Sequence, residues 1–220
     1  KTLIVGGDGR FYNDKATEII LRMAAANGAA KVIAGQNGLL STPAASHLIR
    51  SMKTDGGIIL SASHNPGGID EDFGIKFNMP NGGPAPESVT NAIFDVTKTI
   101  TEYHMYEGGS VDLSALGHSA LGEMQIEIVN PVTAYVDLMQ TLFDFPAIKA
   151  MIAGGTAIRF DAMNAITGPY ASAIIEDLLG AAKGSVVHGT PLPDFGGMHP
   201  DPNPTWAHEL MDEMMGDNAP

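Results

Sequence analysis

The run Gly57-Ile58-Ile59-Leu60 breaks into Ser61-Ala62-Ser63-His64-Asn65-Pro66-Gly67-Gly68, and this break constrains the chain more than any other stretch. The apolar run reads as a buried strand. The residues after it cannot stay regular, because Pro66 has no backbone N–H and disfavours helix at Asn65. Gly67 and Gly68 permit positive φ and let a backbone approach an anion closely. A serine and a histidine just past the carboxyl end of such a strand stand where α/β proteins place their ligands. Turn chemistry alone leaves a plain solvated loop as the alternative, since Ser, Asn, Pro and Gly are ordinary turn residues.

Periodicity on both sides of this loop alternates strand with helix. Thr2–Val5 reads as a strand breaking at Gly6-Gly7. A helix runs from about Asp14 to Asn27, with Ile19, Ile20, Met23 and Ala24 on one face and Gly28 as its stop. Lys31–Ala34 is a strand, and Thr42 is read as the N-cap of a helix to about Lys53, with Pro43 in its first turn. Ile75–Asn78 is a strand, and Pro86 opens a helix to about Tyr103. Residues 106–122 show no clear period and read as a linker or insertion. Ile126–Val129 is a strand, and Pro131 starts a helix carrying Tyr135, Leu138, Met139 and Leu142. Strand Ile158–Phe160, helix Gly168–Leu179 and strand Ser185–Val187 form a further βαβ-like set. A last helix spans about Thr205–Met215. The class is α/β, with two consecutive α/β domains and mixed sheets, divided near Asn130 into residues 1–130 and 131–220.

Composition narrows the partners. A formal net charge of −13 argues against nucleic acid, which needs a basic face. A small anionic ligand is not excluded, because a few cations and backbone N–H groups suffice for it. Only 12 residues are Lys or Arg, so those beside glycine loops stand out. With no cysteine there is neither a disulfide framework nor a thiolate metal site. The apolar runs are short and punctuated, which predicts no membrane span and a cytoplasmic protein.

Several segments, in one shared order, carry a family resemblance. They are Gly6-Gly7-Asp8-Gly9-Arg10-Phe11-Tyr12, Gly35-Gln36-Asn37-Gly38 with Ser41-Thr42-Pro43-Ala44, and Ser61–Gly68 itself. Asp72-Phe73-Gly74-Ile75-Lys76-Phe77-Asn78 and Asn81-Gly82-Gly83-Pro84-Ala85-Pro86 come next. Near the end stand Asp161-Ala162-Met163, Gly168-Pro169-Tyr170 and Asp194-Phe195-Gly196-Gly197-Met198-His199-Pro200-Asp201-Pro202-Asn203. Together they resemble the phosphoglucomutases of the α-D-phosphohexomutase superfamily. Against that family the chain reads as an amino-terminal fragment, its first domain incomplete at the start. An upstream Gly-Thr-Ser-Gly-Leu-Arg-type segment and a downstream Asp-Gly-Asp-x-Asp-Arg metal loop are expected outside it.

The resemblance implies roles for individual residues. Ser63 matches the serine that exchanges a phosphoryl group with the sugar. A phosphoserine brings about −1.5 to −2 charges and three acceptor oxygens, so it wants donors and cations nearby. Phosphoryl transfer is mostly positioning and charge stabilisation. His64 is expected to contact the phosphate rather than to act as general base, since adjacent side chains diverge. Lys76, in the apolar setting Gly-Ile-Lys-Phe-Asn, matches the family's candidate general acid/base, and the alternative is a strand lysine facing solvent. Arg10 offers a guanidinium for bidentate phosphate contact, or for pairing with Asp8 or Asp14. Asn65 is grouped with it as a phosphate-binding candidate. His199 is left without a role. Mg²⁺ is the implied cofactor, held by the Ser63 phosphate and by aspartates of the metal loop. Asp70, Glu71 and Asp72 read as a solvated acidic run, and Asp194 and Asp201 as turn carboxylates.

The expected activity is interconversion of glucose 1-phosphate and glucose 6-phosphate through glucose 1,6-bisphosphate, which also acts as activator. The fragment itself is expected to bind Mg²⁺ weakly and to lack turnover. Two other readings share the fold: a phosphomannomutase-like enzyme, and a phosphoprotein or interaction module without turnover.

Overall fold

A computed structural model describes residues 1–216; the end of the second predicted domain, 217–220, lies outside the described residues. The chain divides into two compact units. The first holds Lys1–Asp8, Tyr12–Ser61 and Gly74–Pro131, and the second holds Gly9–Phe11, Ala62–Phe73 and the chain from Val132 onward.

The first unit is built on a six-stranded mixed sheet in the order β4-β3-β1-β2-β6-β5. Its strands are β1 (Thr2–Gly7), β2 (Lys31–Leu39), β3 (Gly57–Leu60), β4 (Ile75–Asn78), β5 (Gly117–Leu121) and β6 (Met124–Val129). Strands β3, β1, β2 and β6 run parallel, while β4 and β5 close the edges antiparallel. The apolar character of the inner strands follows from this order, because they are covered on both faces. Val5, Val32, Ala34, Ile126 and Ile128 form one buried cluster with Leu121, Met124 and Leu21. Each fully buried aliphatic side chain contributes roughly 1.5–3 kcal/mol.

Helix α1 (Asn13–Ala26) buries Asn13, Thr17 and Leu21, a stripe with a period of four residues. Ile20 and Ala24 pack partly against the core, but Ile19 and Met23 are exposed, so the predicted apolar face is rotated toward two polar residues. Those residues are buried because they hydrogen-bond locally: Thr17 Oγ1 donates to the Asn13 carbonyl and Asn13 Nδ2 to the Gly38 carbonyl. Helix α2 (Thr42–Ser51) is capped by Ser41, not Thr42, and the Ser41 hydroxyl accepts from the Ala44 N–H at 3.3 Å. Thr42 and Pro43 are the first two helical residues, where a proline lacks only a donor that would be unpaired anyway.

Two further differences concern regions of weak period. Helix α3 (Glu87–Thr97) is shorter than expected and buries none of its residues. The stretch read as linker contains β5, which pairs with β6 across a turn at Gly122 (φ 62). A five-residue edge strand with one buried residue leaves little trace in hydropathy. Before it, Arg22 of α1 donates to the carbonyls of Tyr106 and Gly109, and the Leu113 carbonyl accepts from the Asn37 N–H.

The second unit contains α4 (Thr133–Leu142), α5 (Phe145–Ala153), β7 (Phe160–Asp161), α6 (Thr167–Ala171), β8 (Val186–Val187) and α7 (His208–Met215). Its sheet is a two-stranded parallel pair, β7-β8, rather than the mixed sheet expected. Of the predicted α4 face, Tyr135 stacks edge-on against Tyr170 while Leu142 is exposed; Val136 is the buried residue. Helix α5 has no counterpart in the sequence reading, although Asp144 caps it through the Ala147 N–H and Pro146 stands in its first turn. Helix α6 passes into a π-helical segment, Ser172–Leu178. There Glu176 Oε1 accepts from the N–H groups of Gly184 and Val186 and so ties that helix to β8.

Candidate active site

The register of the first unit aligns Gly7 with Leu60 and Leu60 with Ile75, so the ends of β1 and β3 and the start of β4 lie in one row. Gly9–Phe11 comes directly after β1. The loop Ala62–Phe73 connects β3 to β4, and at its base the Ser61 N–H donates to the Gly74 carbonyl at 2.9 Å. Lys76 stands on β4 opposite Ile59, one position from that end of the sheet. It is exposed, because β4 is an edge strand open to solvent on one side, so the desolvated setting read from Gly-Ile-Lys-Phe-Asn is not present.

Arg10 organises the loop. It is 1% exposed, and its guanidinium spreads over main-chain carbonyls. Nη1 donates to Asp72 at 2.8 Å and to Asn65 and Pro66 at 3.4 Å each, while Nη2 donates to Ser63 at 3.0 Å. The Phe195 ring lies 5.3 Å from the guanidinium carbon, a cation–π contact. The planar fork expected on phosphate thus has the loop's own backbone as a partner. Only Arg carries donors diverging over enough width to reach carbonyls on both limbs of a loop.

Ser63 itself has φ 60, in the left-handed region, and its residue is exposed. An L-residue there costs about 1–2 kcal/mol, which the surrounding bonds must offset. Neither Gly67 nor Gly68 has a positive φ, contrary to the turn argument. Gly67 is needed for space: a Cβ there would lie 2.6 Å from Phe195 Cε2 and 3.1 Å from the Pro193 carbonyl oxygen. The close approach is to a ring of the protein.

The neighbours of Ser63 have partners of their own. Asn65 Nδ2 donates to Asp72 Oδ2 at 2.9 Å, so one member of the acidic run has a structural role. His64 Nδ1 lies 3.8 Å from Asp201 Oδ1. His199 stacks on Trp206 with ring centroids 4.5 Å apart, and its Nδ1 is buried without a hydrogen-bond partner. Among the described residues no three His, Cys, Asp or Glu side chains converge as a metal site would require. The residues present therefore do not by themselves fit a Mg²⁺ cage.

The structure brings Arg10, Ser63, His64 and Asn65 together and adds Asp72, Phe195 and Asp201, none of which the sequence marked as functional. The signal for all three was their place in a matched segment, and Asp72 also stood in a run of carboxylates. Among the described residues no helix is long and apolar enough to cross a membrane.

Residues 1–104 match the family model described as phosphoglucomutase/phosphomannomutase, alpha/beta/alpha domain I. A phosphoglucomutase of Rhizobium radiobacter is 53% identical over 220 residues, covering 100% of this chain and 41% of the relative. Phosphoglucomutase 1 of Drosophila melanogaster is 50% identical, over 96% of this chain and 39% of its own. Among solved structures, the open form of the exocytosis-sensitive phosphoprotein pp63/parafusin (phosphoglucomutase) of Paramecium superposes with a TM-score of 0.93 at 42% identity, over 98% of this chain and 41% of that one. The chain thus spans about two fifths of the length of the curated relatives it matches.

Proposed function

Because this chain belongs to the phosphoglucomutase/phosphomannomutase family, we propose that it carries the phosphoserine half of a mutase interconverting glucose 1-phosphate and glucose 6-phosphate. In this reading Ser63 is the phosphoryl carrier. The sugar hydroxyl oxygen bonds to phosphorus while the bond from phosphorus to Ser63 Oγ breaks, giving glucose 1,6-bisphosphate. The hydroxyl proton leaves to a base, for which Lys76 is the candidate, and a proton is returned from that base to the departing Ser63 Oγ. The bisphosphate then returns its other phosphoryl group to Ser63 Oγ, and the serine proton passes to the departing sugar oxygen. His64 contacts the phosphoryl oxygens.

The observation that carries this reading is the buried guanidinium of Arg10 fixing the Ser63 loop through its carbonyls. A loop that must present one oxygen in line with a phosphorus gains from rigidity, since positioning is worth about 7–11 kcal/mol of barrier. An idle surface turn has no need of a buried arginine beneath it. The reading includes Mg²⁺, to which this chain would contribute the Ser63 phosphate oxygen; none of the steps depends on it.

One relative is named an exocytosis-sensitive phosphoprotein, which keeps a second reading in view: phosphorylation at Ser63 without sugar turnover. A phosphomannomutase-like specificity is the third. The full-length protein, assayed with glucose 1-phosphate and mannose 1-phosphate with and without Mg²⁺, separates them. Preferential conversion of the glucose ester supports the proposal. Preference for mannose 1-phosphate replaces the substrate, and phosphorylation without conversion of either sugar replaces the mutase.

A further inference from the structure

We propose that Asn164 is a positioning residue for the Ser63 loop, acting through the segment His188–Phe195 that packs against that loop. The inference deepens the functional reading above and rests on it. The segment meets the loop and its arginine at two points. The Pro193 carbonyl accepts from the N–H of Phe11, the residue after Arg10, at 2.8 Å, and the Phe195 ring lies 5.3 Å from the Arg10 guanidinium carbon. The same carbonyl and ring leave no room for a methyl at Gly67. A shift of this segment therefore carries the Ser63 loop with it. All of these residues belong to the second unit.

Asn164 holds the segment by gripping every second residue. Its N–H donates to the His188 carbonyl at 2.9 Å, and its Nδ2 donates to the Thr190 carbonyl at 3.0 Å. Its own carbonyl accepts from the Leu192 N–H at 2.9 Å. It does this from a left-handed backbone, φ 51, a region that asparagine enters more readily than most non-glycine residues. Its Oδ1 would lie 3.0 Å from a Cβ at Gly196, so the amide also stands against the residue after Phe195. The start of the segment is tied as well, because His188 Nδ1 lies 2.9 Å from Asp161 Oδ1, which accepts from the Met163 N–H at 2.8 Å.

Strain marks the same path. Ser63, Met163, Asn164, His188 and Phe195 are all left-handed without being glycine. Such residues persist only where surrounding bonds over-determine them, and they gather at functional sites. Phe195 combines φ 54 with 1% exposure. Its N–H donates to the Leu192 carbonyl at 3.0 Å, and its carbonyl accepts from the Met198 N–H at 3.2 Å. Asn164 and Phe195 are thus the two ends of one brace, and the Ser63 loop is what it supports.

The left-handed backbone lets the amide be tested apart from the fold. Asn164→Gly keeps φ 51 and both backbone bonds and removes only the amide. It also sheds the steric cost of a side chain in that conformation, so stability is spared. Asn164→Asp keeps size and conformation but sets an acceptor-only oxygen against the Thr190 carbonyl.

The test uses the full-length protein as wild type, Asn164→Gly, Asn164→Asp, Phe195→Leu and the double variant Asn164→Gly/Phe195→Leu. Measured are the thermal midpoint and, on the sugar phosphate that the wild type converts, kcat and KM. Asn164→Gly should lose kcat on the order of 10-fold, less than the roughly 10²-fold that a misplacement of about 1 Å can cost, because two backbone bonds still hold the segment. KM and the thermal midpoint stay close to wild type, and Asn164→Asp loses at least as much kcat. On the Phe195→Leu background the glycine change lowers kcat by less than about 2-fold, since its route to the loop is already cut. Wild-type kcat in either single Asn164 variant overturns the inference. So does a loss in Asn164→Gly that follows the thermal midpoint, or one that persists in full on the Phe195→Leu background. If the wild type converts no sugar phosphate, the functional reading falls and this inference with it.

Discussion

Arg10 Nη2 donates to the main-chain carbonyl of Ser63 at 3.0 Å, so the residue bearing the proposed nucleophile is gripped through its backbone. The grip is shared: the same guanidinium holds Asp72 on the far limb of the loop and stacks on Phe195. A left-handed φ at Ser63 persists because this network over-determines it.

Arg10→Lys tests that arrangement. Lysine keeps the charge but is a point donor that cannot span both limbs. Hydrogen bonds to a charged group contribute about 1.5–3 kcal/mol each, and more than one is lost. The expected outcome is destabilisation by about 3 kcal/mol or more in denaturant unfolding, with mutase turnover reduced at least as severely. A variant within about 0.5 kcal/mol of wild type, the range of neutral surface changes, would show that the carbonyl contacts are incidental.

Ser63→Gly and Ser63→Ala should part company in stability and agree in activity. Both remove Oγ, so both lose steady-state turnover. Glycine takes φ 60 without the steric cost that alanine keeps, which makes Ser63→Gly more stable than Ser63→Ala by about 1 kcal/mol. Equal thermal midpoints would mean that the serine backbone relaxes out of the left-handed region in solution.

Gly67→Ala should disturb the loop from below. The added methyl meets Phe195 at 2.6 Å, and Phe195 is 1% exposed with no room to withdraw. Overpacking of this kind costs typically about 1–3 kcal/mol. Pairing the variant with Phe195→Leu should recover part of that loss, and full additivity of the two changes in unfolding experiments would contradict the contact.

Glu176 gives the second unit an acid-sensitive joint. Its carboxyl is held below the ordinary glutamate value of 4.5, chiefly by the Val186 N–H, with the Gly184 N–H and Lys183 adding to it and burial opposing. A depressed folded value means the stabilisation is present above the ordinary value and is lost as pH falls through the lowered one. The thermal midpoint should therefore drop with acidification below about pH 4.5 in wild type, and less steeply in Glu176→Gln. Identical acid limbs for the two proteins would remove Glu176 as the cause.

Much of this was legible in the residues and some was not, for physical reasons. β3 and the serine loop could be read because four apolar residues end abruptly in turn chemistry. β4 could be placed by its strand composition. β5 was lost because an edge strand with one buried residue has almost no hydropathic signature. The face of α1 was misjudged because Asn13 and Thr17 are buried by local hydrogen bonds that no periodicity reports. In the candidate site, Ser63 and its neighbours were singled out by their segment. Gly67 was noted for the wrong reason, since a steric need for glycine depends on Phe195, far along the chain. Arg10 was linked to phosphate because guanidinium suits anions; that it lies under carbonyls is a property of the folded loop alone.

The central claim is that Ser63 carries a phosphoryl group between sugars. The direct measurement is to incubate the full-length protein with glucose 1,6-bisphosphate labelled in its phosphoryl groups, map the label, and chase with unlabelled glucose 1-phosphate. The account predicts label on Ser63 alone, released into sugar bisphosphate during the chase and absent from Ser63→Ala. Label on another residue, label on Ser63 that no sugar phosphate removes, or undiminished turnover in Ser63→Ala would contradict it.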